Sequence, residues 1–81
     1  MAGFSLRQLG YFVAAAESGS LAAAARRLNV AQPSISSAIR ALEARFGLQL
    51  LVRHHASGVT LTPAGQRLLR QAGDLLQQFE Q

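Results

Sequence analysis

Asn29-Val30-Ala31-Gln32-Pro33-Ser34-Ile35-Ser36-Ser37-Ala38-Ile39-Arg40-Ala41-Leu42-Glu43-Ala44-Arg45-Phe46-Gly47 carries the start and stop signals of one helix. Pro33 falls in the first turn, where the amide it lacks would have no intrahelical partner, and Gly47 stands where helices commonly end. The spacing predicts a helix over Gln32 to Phe46. Ile35, Ile39, Leu42 and Phe46 recur at steps of four, three and four, which makes one stripe to be buried against the rest of the domain. The opposite face carries Pro33, Ser36, Ser37, Arg40 and Ala44, with Gln32 and Ser34 projecting from the amino-terminal end. Small, hydroxylated and basic residues let a helix approach another surface closely while offering short donors, as entry into a DNA major groove requires. The stretch reads as a DNA recognition helix.

Composition narrows the alternatives. At 81 residues with 49% hydrophobic content the chain is one domain able to build a single core. It has no cysteine, which excludes disulfides and thiolate metal sites and fits a reducing compartment. The longest apolar run, Tyr11 to Ala16, is too short to span a bilayer, and Met1-Ala2-Gly3-Phe4-Ser5 lacks the regions of a signal peptide, so a cytoplasmic protein without membrane contact is expected. Eight arginines against four carboxylates give a net charge of +4. That excess attracts polyanions, though many small domains are equally basic. Placement says more: Arg26, Arg27, Arg40 and Arg53 lie in or near the suspected DNA-facing segments.

On the amino-terminal side, Leu6, Leu9, Phe12, Val13 and Ala16 form a helical stripe with Ser5 as N-cap and Gly19 as stop. Gly10 inside this helix implies a close neighbour or simple tolerance. Ser20 caps a second helix of about two turns, Leu21 to Leu28, whose Leu21, Ala24, Ala25 and Leu28 share a face suited to tight crossing. Asn29-Val30-Ala31 then makes the turn of a helix-turn-helix. Beyond Gly47, Leu48 to Arg53 and Val59 to Leu61 have strand character around the polar turn His54 to Gly58. They predict an antiparallel hairpin wing anchored by Leu50 and Leu61.

Thr62 as N-cap and Pro63 at the first helical position open a last helix. Ala64, Leu68, Ala72, Leu75 and Phe79, widened by Leu69 and Leu76, give it a longer apolar seam than a small monomer covers. These residues are expected to pair with a second subunit, with packing against the first helix as a competing or concurrent use. The expected fold is mainly α: a winged helix-turn-helix of three helices and a small β-hairpin over residues 1–62, then a linker and dimerisation helix over 63–81.

Phe12-Val13-Ala14-Ala15-Ala16-Glu17-Ser18-Gly19-Ser20, Ala24-Ala25-Arg26-Arg27-Leu28, Gln32-Pro33-Ser34-Ile35-Ser36, Ile39-Arg40-Ala41-Leu42-Glu43, Phe46-Gly47, Leu50-Leu51-Val52-Arg53 and Leu61-Thr62-Pro63-Ala64-Gly65 closely resemble the amino-terminal domain of LysR-type transcriptional regulators, in order and with family spacing. The resemblance implies a domain that binds an inverted repeat in double-stranded DNA as a homodimer paired through the linker helix. Whether such dimers pair into tetramers in a full-length regulator is left open. It also implies a carboxyl-terminal domain, absent from this chain, that binds a small-molecule inducer and is built like periplasmic binding proteins. The chain is thus expected to bind DNA without an inducer response, in the bacterial cytoplasm on the nucleoid.

Carried over by position, base and backbone contacts fall on Gln32, Pro33, Ser34, Ser36 and Ser37 and on Arg53 at the wing. Glutamine suits an adenine edge, proline and serine carbons a thymine methyl, and arginine a phosphate or minor groove. Two positions depart from the resemblance. Members often have serine or threonine where Ala31 stands, so the recognition helix loses a side-chain cap or takes one from Asn29 or a backbone group. Many have arginine at Ser37, which shifts weight to Arg40 and Arg53.

Plainer uses compete with these assignments. The serines could be ordinary surface residues, and Arg26 and Arg27 could serve solubility or phosphate contact. Adjacent histidines in a turn cannot easily converge on one ion, so His54-His55 reads as a wing tip, with His54 a phosphate contact rather than a metal ligand; no metal or cofactor is expected. Glu43 reads as structural, pairing with an arginine or a backbone amide. The four carboxylates are not paired for acid and base work, and no histidine is placed to activate a serine, so an enzyme is disfavoured. A protein-docking module is the stronger rival, separable by its indifference to salt.

Overall fold

The computed structural model describes residues 5–54 and 58–80. Helix α1 (Leu6–Ser18) begins at Ser5, whose hydroxyl accepts from the Gln8 amide while the Gln8 side chain accepts from the Ser5 amide, each at 3.1 Å. This reciprocal box satisfies two amides that a helix start leaves open. Helix α2 (Leu21–Leu28) is capped by the Ser20 hydroxyl on the Ala23 amide at 3.0 Å. Asn29 closes α2 in the left-handed region at φ 58, a conformation asparagine tolerates better than most residues. Helix α3 (Gln32–Phe46) follows, then strands β1 (Leu51–His54) and β2 (Gly58–Leu61), and helix α4 (Pro63–Glu80). Strand β1 begins later and ends one residue later than the sequence implied, β2 begins one residue earlier, and part of the expected turn, residues 55–57, lies outside the described residues.

Phe12, Leu9, Ile35, Ile39, Leu42 and Leu50 are fully buried at the centre. Removing any of them down to alanine would cost about 2–5 kcal/mol through lost transfer energy and the cavity left behind. Ala24 and Ala25 are buried too, so the alanine run of α2 serves close packing. Phe46 departs from the expected stripe. It is 39% exposed, because the helix ends there and the chain turns away at Gly47. Gly10 has nothing within 4 Å of a would-be Cβ, so its presence is tolerance and not a close crossing.

A two-stranded hairpin is marginal alone, and this one is fixed at its root. Glu43 on α3 accepts from the Leu50 and Leu51 amides at 2.9 and 3.2 Å, which settles its structural role in favour of backbone amides. Thr62 donates from its hydroxyl to the Gln49 carbonyl at 2.7 Å and accepts from the Gly65 amide at 3.0 Å, so the same side chain caps α4 and ties it to the wing. Farther out, the Val59 amide donates to the Gly19 carbonyl at 2.9 Å, and Gly58 lies so close to that carbonyl that a Cβ would overlap it. Leu50 is buried and Leu61 packs on the core, as their anchoring role requires.

Helix α4 packs back on α1 and the wing. Ala72 is 1% exposed within the single chain, so it must be withdrawn from the expected subunit interface: its surface is already consumed by the core. Ala64, Leu68, Leu69 and Leu76 are partly buried against that core, while Leu75 stays 36% exposed. The Phe79 side chain lies outside the described ones.

Candidate nucleic-acid interface

With Ile35, Ile39 and Leu42 fixed in the core, the helical period turns the other side of α3 outward. Gln32, Pro33, Ser34, Ser37 and Arg40 are exposed and Ser36 is half-buried. Gln32, Pro33, Ser36, Ser37 and Arg40 line a shallow depression of about 450 Å³. The start of α3 has no side-chain cap: Ala31 occupies the N-cap position, Asn29 is committed to ending α2, and the Ser34 amide donates to the Ala31 carbonyl at 3.0 Å. The amino-terminal turn is therefore open, with the positive end of the helix dipole unobstructed by a capping side chain.

The wing supplies a second depression, about 480 Å³, between β1, β2 and the start of α2, lined by Ser20, Leu21, Ala22, Gln32, Arg53, His54, Gly58 and Val59. Gln32 belongs to both, so the helix face and the wing form one continuous surface. Arg53 also joins them: its Nη2 donates to the Ser36 Oγ at 3.0 Å. His54 Nε2 and Thr60 Oγ1 are 2.8 Å apart, a hydrogen bond that holds the imidazole along the wing. His55 lies outside the described residues.

All eight residues assigned to contact from sequence thus lie on α3 or the wing beside it. Ser20, Ala22 and Gly58 were assigned no contact, because their approach to Gln32 depends on hairpin docking and has no local signal. Arg27 stands apart. Its Nη1 meets Glu17 Oε1 at 2.9 Å across the α1–α2 pair, which also accounts for an acidic residue at the unfavourable end of α1. Both side chains are half-exposed, so the pair contributes at most about 1 kcal/mol. Among the described residues no three histidine, cysteine or acidic side chains gather to hold a metal, and no helix is long and apolar enough to cross a membrane.

Residues 6–66 match the family model described as the bacterial regulatory helix-turn-helix protein, lysR family. The chain belongs to the LysR family. Similar LysR proteins include the HTH-type transcriptional regulator TfdS of Cupriavidus pinatubonensis, 52% identical over 71 residues that make up 88% of this chain and 24% of TfdS. The chain accordingly spans about a quarter of the length of the curated relatives it matches. Among solved structures, the DNA-binding domain of CbnR bound to DNA superposes with a TM-score of 0.90 at 47% identity, covering 95% of this chain and 87% of that one. The BenM DNA-binding domain bound to catB site 1 DNA gives a TM-score of 0.90 at 40% identity, covering 95% and 84%. The winged helix-turn-helix with its following helix is thus the LysR domain architecture.

Proposed function

We propose that this chain is the sequence-specific DNA-binding domain of a LysR-type transcriptional regulator, acting as a dimer on an inverted repeat. The observation that carries the reading is the continuous surface on which the uncommitted face of α3 meets the Arg53 wing at Gln32. Helix α3 enters the major groove, where Gln32, Pro33, Ser34 and Ser37 reach base edges, Ser36 belongs to the same contact face and Arg40 reaches phosphate. The wing lies over flanking backbone or minor groove through Arg53 and His54. The CbnR and BenM domains, similar in fold and sequence, are described in complex with DNA, which supports the same partner here.

Dimerisation runs through residues 63–81, with residues 1–62 forming the DNA-binding unit. Exposed Leu75 and Phe46 line one depression with partly buried Leu68, and Phe46 and Leu68 line the next with exposed Leu48, which together offer apolar surface for a second copy. The reading assigns the domain binding and no catalytic step, places it on the nucleoid in the bacterial cytoplasm, and leaves response to a small-molecule inducer to a domain outside residues 1–81.

Selection of genomic fragments by the purified chain, followed by salt titration of the best fragment, tests the proposal. An inverted repeat whose affinity falls steeply with salt is the expected result, because several phosphate contacts release counterions. No enrichment, with binding indifferent to salt, would overturn it in favour of protein docking through α4.

A further inference from the structure

We propose that Ser36 is a positioning residue for Arg53: the recognition helix presents the wing arginine to DNA, and the hydroxyl acts through that arginine more than through a base. The inference rests on the DNA-binding reading and deepens it. Leu51 and Arg53 lie on the same side of β1, and Leu51 is buried, so the Arg53 side chain leaves the strand toward the body of the domain. There its Nη2 meets Ser36 Oγ at 3.0 Å. Ser36 stands one turn after Gln32 and one turn before Arg40, so the guanidinium is drawn to the middle of the reading face.

The wing backbone is already fixed by the Glu43 carboxylate on the Leu50 and Leu51 amides and by the Val59 amide on Gly19. What remains free is the long arginine side chain, whose rotamer freedom must be given up on binding. A serine oxygen restrains it without neutralising it. Arg53 makes no ion pair among the described residues, so it keeps its full charge for phosphate. A guanidinium has five N–H donors and spends one here, leaving four for backbone or minor-groove acceptors.

Two measurements on the whole chain decide the matter. In the free protein, NMR relaxation of the Arg53 Nε–Hε group should show lost order in Ser36→Ala and retained order in Ser36→Thr, which keeps a hydroxyl. Unchanged order in Ser36→Ala would overturn the proposal without touching the DNA reading. In binding, Ser36→Ala and Arg53→Ala should each weaken the selected fragment and a random duplex alike, by about three- to tenfold. The double variant should be no weaker than Arg53→Ala alone. Penalties that multiply, or a Ser36→Ala loss confined to the selected fragment, would overturn the positioning role. A wild-type chain without salt-dependent binding would instead overturn the DNA reading, and the relaxation result would still decide whether Ser36 orders Arg53.

Discussion

The root of the wing and the outer face of α3 are built in opposite ways. At the root, where α3, β1 and α4 converge, the polar groups satisfy one another: Glu43 takes two amides, and Thr62 takes an amide while donating to a carbonyl. On the outer face, Gln32, Pro33, Ser37 and Arg40 are exposed and their side chains make no hydrogen bond among the described residues. The difference separates two tasks. A closed hydrogen-bond set fixes the angle between recognition helix and wing, whereas donors left uncommitted remain available to a partner. Changes at the root should therefore act on folding, and changes on the face should act on binding with folding intact.

The largest effect is expected from Gly65→Ala. A Cβ there would overlap the Leu50 carbonyl oxygen and stand 3.0 Å from Leu61 Cδ2, and a backbone atom cannot swing aside. Urea unfolding should show a loss of about 3 kcal/mol or more. Gly10→Ala is the matched control, since its Cβ meets nothing within 4 Å and helix propensity favours alanine by up to about 1 kcal/mol. If Gly65→Ala proved as harmless as Gly10→Ala, the root would be looser than its contacts indicate.

Glu43→Ala probes the same region through hydrogen bonding. It removes the acceptor of the Leu50 and Leu51 amides, whose surroundings are partly buried, and should destabilise the chain by about 2 kcal/mol in the same assay. Hydrogen exchange should locate the loss at those two amides and along the hairpin they begin. Uniform loosening of α1 and α2 without faster exchange at Leu50 and Leu51 would show that Glu43 acts elsewhere.

The two regions were also unequally legible in the sequence. Helix periods, Ser5, Ser20, Thr62, Pro33 and Gly47 mark every helix, because caps and apolar spacing are local properties. The outer face of α3 follows from the same period. The root was only partly readable: Glu43 was expected to meet an arginine or an amide, but which amides depends on the path of the chain after Gly47. The tight approaches at Gly58 and Gly65, and the Ser36–Arg53 contact across 17 positions, arise only once hairpin and helices dock. The seam of α4 misled in one respect. Periodicity places Ala72 among Leu68, Leu75 and Leu76 but cannot say which part of a wide stripe its own core consumes.

On the outer face, Gln32→Ala should leave unfolding unchanged and reduce the preference for the selected fragment over random DNA by about tenfold, the order expected for one good base contact. Gln32 is exposed, so no packing term intervenes. Equal weakening on both duplexes would assign Gln32 to backbone contact and leave base reading to Pro33, Ser34 and Ser37.

The smallest effect, Ala31→Ser, tests the boundary between the two designs by adding closure to the open end. Ala31 already has the extended backbone of an N-cap, at φ −71 and ψ 140, so the new hydroxyl needs no rearrangement to reach the Ser34 amide. Introduced caps of this kind typically contribute about 1 kcal/mol. Less is expected here, about 0.5 kcal/mol in urea unfolding, for two reasons: Pro33 has already removed one of the orphan donors, and the Ser34 amide already reaches the Ala31 carbonyl. If the turn is open because DNA uses it, the gain in stability should come with unchanged or weaker affinity for the selected fragment. A rise in affinity would mean that an ordered first turn serves binding better than a free amide does.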